Sequence, residues 1–122
     1  MTTGFAAAAV NGWLDGTFAT SWIQLHTGDP GSAGTTAAAA GDTTRKQATM
    51  ASASAGSKAM TSMSGSWTNG GTSETISHIS IKSASTAGTF NASAALAASK
   101  AWASGDTLSL SSLSIAITPI AA

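Results

Sequence analysis

A chain of 122 residues with no cysteine, a formal net charge of zero and only 8% charged residues excludes several classes of protein at once. Disulfides, thiolate chemistry and cysteine-ligated zinc are impossible, and long-range attraction to nucleic acid or to an anionic membrane is not encoded. The length suits one domain, and four tryptophans against two prolines, with balanced charge, favour a folded chain over a disordered one.

The opening MTTGFAAAAVNGWLDG is apolar but lacks a positively charged start and a long apolar run, so it reads as structure and not as a signal peptide. No stretch approaches the ~20 apolar residues of a membrane helix. Residues 3–14 are expected to form a short helix, because alanine favours it and Phe5, Ala9, Val10 and Trp13 share a face at three-to-four spacing. Gly16 is expected to end it. This divides the chain into an N-terminal helical arm, residues 1–18, and a β-domain, residues 19–122.

The period then changes to two. Residues 21–27 predict a strand with Ile23, Leu25 and Thr27 on one face and Trp22, Gln24 and His26 on the other. Gly28-Asp29-Pro30-Gly31 follows as a turn: Asp29 accepts from nearby backbone N–H groups, Pro30 presets φ, and Gly31 tolerates positive φ. Residues 32–43 form a loop of small residues. A second strand is expected at 45–51, a turn at 54–57, and a third strand at 58–67 carrying Met60, Met63 and Trp67. Asn69-Gly70-Gly71 is a strong turn signal. In the next strand, 75–82, the change of phase between Ile76 and Ile79 predicts a bulge. Residues 83–88 form a loop. Phe90, Ala92, Ala94 and Leu96 alternate cleanly, Gly105-Asp106 makes another turn, and 107–110 and 113–117 are the last strands. Short strands at this spacing predict an all-β fold, a single jelly-roll-like β-sandwich with a short N-terminal helix. The alanine content makes an all-helical chain the rival; the threonine, serine and isoleucine alternation argues against it.

Candidate chemistry is sparse. There is no nucleophile elbow, dinucleotide fingerprint or phosphate loop. The histidines, His26 and His78, read as hydrogen-bonded strand residues. The carboxylates Asp15, Asp29, Asp42, Glu74 and Asp106 fall mostly at predicted turns or element ends, where Asp29, Gly105 and Asp106 are explained by turn chemistry. Arg45 and Lys46 read as a solvated or ion-paired strand edge. No catalytic residue, cofactor or metal site is therefore expected. Large apolar side chains are few, and each buried one contributes ~1.5–3 kcal/mol. Such a chain is expected to complete its burial against partner subunits or a large scaffold. Phe5, Trp13, Trp22, Trp67 and Trp102 are the candidate anchors, with a glycan-stacking platform as the alternative use of the tryptophans.

LHTGDPG, at Leu25–Gly31, resembles a group of small virion proteins of tailed bacteriophages, especially those infecting actinobacteria. TRKQATM (44–50), ISHISIKSASTAGTF (76–90) and AASKAWASGDTLSLSSLSIAI (97–117) are similar to later segments of the same group, with Lys82-Ser83 standing where an aromatic–acid pair is common. The resemblance implies a β-sandwich structural protein on the outside of the particle, of the kind labelled capsid decoration, minor tail or tail fibre protein. Small size, low charge and the absence of repeats or coiled coil favour decoration of the capsid exterior. That reading implies the major capsid protein and further copies of the chain, as a homotrimer, for partners, without nucleic acid or membrane. A tail fibre or minor tail protein with a host-surface role is the alternative. A small wall-degrading hydrolase is the enzyme reading, and it has the least support.

Overall fold

Strand β1 (Ser21–His26) organises the molecule because its alternation separates two kinds of side chain: Ile23 and Leu25 are buried, while Trp22 and Gln24 are half-buried on the other face. The computed structural model describes residues 4–117. Along the chain lie α1 (Ala7–Thr17), β1, β2 (Lys46–Met50), β3 (Ser57–Met63), β4 (Trp67–Thr68), β5 (Glu74–Lys82), β6 (Phe90–Trp102), β7 (Thr107–Leu108) and β8 (Ser114–Ala116). Six of the strands form one antiparallel sheet in the order β6-β5-β1-β2-β3-β8, and β4 pairs with β7 as a separate ribbon. The fold is all-β and sandwich-like, with one short helix, as the alternation predicts.

The sheet aligns its apolar residues by register. Ile23 lies opposite Ile81, and Leu25 opposite Ile79; Ala92 and Ala94 continue the two rows on β6. Cross-strand aliphatic pairs of this kind stabilise a half-buried sheet face. The bulge expected near Ile76 is present: the β5–β6 register shifts between Ile76 and His78. It falls between two residues that are both buried, Ile76 and Ile79, which strict alternation over an odd spacing would send to opposite faces. The same shift leaves four residues of β6, 96–99, opposite the single Ser77, so β6 continues to Trp102 where the alternation alone stops at Leu96.

Further boundaries differ from the sequence expectation. The helix begins at Ala7 and not at residue 3, with Ala6 extended at its N-cap, so Phe5 precedes it. The third strand ends at Met63, and Trp67 begins the ribbon. Its indole Nε1 donates to Thr44 O at 3.0 Å, and the ring is fully buried. The helix runs past Gly16 and closes at Phe18, whose N–H donates to Leu14 O. Phe18 is itself buried, so tertiary burial outweighs the local penalty of glycine.

The core joins Val10 and Leu14 of the helix to Phe18, the β1–β5 rows, Trp67 and Trp102. Polar contacts dock the helix on β3 and its preceding turn. Asp15 Oδ1 accepts from Lys58 Nζ at 2.7 Å and from Ala53 N at 2.9 Å, and Asn11 Oδ1 accepts from Gly56 N. Those bonds, the Lys58 one first, hold the Asp15 carboxyl below its ordinary pKa.

Candidate partner-binding surface

His26 and the turn beside it form a closed structural unit. The imidazole is fully buried, with Nδ1 2.9 Å from Thr36 O and Nε2 2.8 Å from Ser80 Oγ. A carbonyl only accepts, so Nδ1 carries the proton and Nε2 accepts from the Ser80 hydroxyl. Burial pushes the ring's pKa below the ordinary histidine value, against the opposing effect of the Thr36 bond. The ring therefore ties β1 to β5 and to the loop that follows β1. That loop folds back through Thr36 N to Pro30 O, Thr27 N to Ala37 O and Ala39 N to Leu25 O. Asp29 Oδ1 accepts from Gly31 N at 2.9 Å, Gly31 sits at φ +76°, and Pro30 is buried. His26 and Asp29 thus serve two separate tasks, a pin and a turn. His78 lies opposite His26 in the register and bonds Ser77 Oγ through Nδ1. Among the described residues no group of three or more histidine and carboxylate side chains is arranged to hold a metal.

The second predicted turn belongs to a larger knot. Gly105 takes φ +85°, Asp106 N donates to Ala103 O, and Asp106 Oδ2 accepts from Ala103 N. The Asp106 carbonyl accepts from both Trp102 Nε1 and Asn69 N. Asn69, read from the sequence only as a turn residue, is the hub. It is buried, its Oδ1 accepts from Gly71 N and Thr72 N, and its Nδ2 donates to Trp102 O. Gly41 lies so close that a Cβ there would meet Asn69 Oδ1 at 2.5 Å. The Glu74 carboxylate completes the knot by accepting from Ala40 N and Gly41 N. The Asn-Gly-Gly stretch marks the turn; the burial of its asparagine has no local signature.

The five candidate anchors separate by burial. Trp67 and Trp102 are 0% and 2% exposed. Their place among the partner contacts is corrected by that burial: both rings fill a core otherwise short of large side chains, and both indole N–H groups are satisfied internally. Trp22 is half-buried on the polar face of β1. Phe5 and Trp13 are 65% and 53% exposed, and Ile117 joins them at 41%. Together with Ala9 and Val10 these three line an apolar depression formed by the helix, the segment before it and the residue after the last strand. Trp13 is held edge-on against the buried Phe18, with ring centroids 5.9 Å apart, so the exposed indole has a fixed base.

The patch lies wholly inside the segment that relates this chain to known proteins: the family model for Podophage GP4 fiber I protein gp80 matches residues 4–118. The chain belongs to this family. It is a bacteriophage virion structural protein. No curated protein matches the chain. In this family member, both ends of the matched segment meet at one place. Phe5 stands near its start and Ile117 near its end, and the surface they share with Trp13 gathers the exposed large hydrophobic side chains of the described residues.

Proposed function

We propose that the chain is a fibre component of the podophage virion, acting by assembly and not by catalysis, and that it associates through the Phe5–Trp13–Ile117 surface. The family match over residues 4–118 carries this reading and favours a fibre over the capsid decoration that small size and low charge suggest. Further copies of the same chain are the first partner, with a trimer as the working stoichiometry. Charge balance at zero leaves apolar contact as the source of affinity. Exposed aromatic anchors suit that role, since such residues commonly contribute ~2 kcal/mol or more at interfaces. The occupied nitrogens of His26 fit a non-catalytic protein. No helix among the described residues is long and apolar enough to cross a membrane.

Gold-labelled antibody on intact particles, with copy number by quantitative mass spectrometry, tests the location. Label on the tail at a few to tens of copies supports the fibre reading. Label over the head at hundreds of copies restores the decoration reading, with the major capsid protein as the partner.

A further inference from the structure

On the face of β1 opposite the apolar core, two cations share a site that holds no carboxylate. Trp22 and Gln24 occupy that face, and the register sets Lys82 of β5 beside Trp22. Lys82 is only 5% exposed, and its Nζ donates to Gln24 Oε1 at 3.0 Å, its one hydrogen bond among the described residues. The β1–β2 register, continued one step, brings Arg45 opposite Gln24. From there the Arg45 side chain reaches across β1 to the β5–β6 turn, where Nη1 donates to Ala84 O at 2.8 Å and to Ala87 O at 2.7 Å. Ala87 adopts φ +51°, a left-handed conformation uncommon for alanine. Nε and Nη2 of Arg45 have no acceptor among the described residues.

Nothing nearby balances this charge. The ion pair Lys58–Asp15 is the only one among the described residues. The carboxylates of Asp29, Asp42, Glu74 and Asp106 accept backbone N–H groups, that of Asp42 from Thr44 next to Arg45 in the chain, and none of them forms an ion pair with Lys82 or Arg45. Burial, and then the charge of Arg45, push the Lys82 ammonium below its ordinary pKa. A buried ammonium held by one neutral amide beside a second cation is costly unless an anion completes it.

We propose that Lys82, Arg45 and Gln24, flanked by the ring of Trp22, bind a phosphate-type oxyanion. Two cations match the charge of about −1.5 to −2 on a phosphate monoester, and the arginine fork and lysine point charge are complementary phosphate donors. Trp22 supplies an apolar flank for whatever carbon skeleton carries the phosphate. The site does not depend on where in the virion the chain sits.

Calorimetric titration of the full chain with inorganic phosphate and with glycerol phosphate, at ionic strength matched with sodium chloride, tests it. Saturable binding with one site per chain is expected, with acetate weaker. Lys82→Met and Arg45→Gln should each weaken it about tenfold or more. Binding of both ligands identifies a phosphate carried on a larger molecule. Binding of inorganic phosphate alone identifies a free ion held as part of the fold. No saturable response by the native protein overturns the proposal, and this arm stands even if a variant fails to fold. Native-like binding by both folded variants, or acetate binding as tightly as phosphate, also overturns it.

Discussion

The turn beside His26 and the patch around Trp13 are opposites. The first collects the residues that look chemical, a histidine, an aspartate and a Pro-Gly turn, and uses their polar groups inside the fold. The second is built from phenylalanine, tryptophan, isoleucine and alanine, and leaves the large apolar rings in solvent. A buried polar group is stabilising only when paired, and here the pairing is internal. Exposed aromatics gathered into one apolar patch lack such pairing, and a patch of this kind is what partner-binding surfaces present. In the function proposed above, the residues of unremarkable chemistry would carry the outward role.

Replacing one tryptophan in each setting gives the largest contrast. Trp67→Ala should destabilise the isolated chain by about 3–5 kcal/mol, since it opens a cavity and strands the Thr44 carbonyl. Trp13→Ala should cost the isolated chain only about 1–2 kcal/mol, from the lost contact with Phe18, yet weaken self-association in sedimentation experiments, with little change between low and moderately high salt. Equal losses of stability in the two variants would erase the distinction between core and surface tryptophans.

His26 gives the next effect. His26→Leu keeps much of the volume but leaves Ser80 Oγ and the Thr36 carbonyl without their partner, and should cost about 1–3 kcal/mol in urea unfolding. Its pH dependence has a definite sign. The folded-state pKa is lowered, so below the ordinary value of about 6.5 the unfolded chain binds a proton that the folded chain does not. Stability should therefore fall as pH drops through that value toward the folded pKa. Asp15, also lowered, keeps its contribution above the ordinary carboxyl value of 3.8 and loses it only in stronger acid. Melting temperatures measured from pH 8 to pH 3 should show two declines, and His26→Leu should remove the first. A native profile flat between pH 7 and pH 5 would refute the buried neutral ring.

The turn itself should give smaller numbers. Gly31→Val places a branched side chain at φ +76°, with its Cβ 3.0 Å from Thr36 Oγ1, and should cost about 1–3 kcal/mol. Pro30→Ala acts mainly through the unfolded chain and should cost about 0.4–1 kcal/mol, with a further small loss from the buried ring. Thermal melts of the two variants check the order; Pro30→Ala as damaging as Gly31→Val would mean that burial, not backbone conformation, sets this turn.

Period-two alternation, the Asp-Pro-Gly and Gly-Asp turns, the bulge near Ile76 and the helix were legible in the sequence by itself, because each depends on residues within a few positions of one another. Helical spacing did not decide the exposure of Phe5 and Trp13: Phe5 precedes the helix, and Val10, placed by spacing on the same face, is buried. Tertiary structure alone decided which tryptophans are buried, because Trp13, Trp22, Trp67 and Trp102 have the same chemistry and differ only in what the sheet order brings beside them. It also decided that Asn69 ties its own turn to the 102–106 turn, that β6 runs on to Trp102, and that Lys82 and Arg45, 37 positions apart by the numbering, share one face. Those outcomes depend on register and crossover between distant strands, which local propensity does not encode.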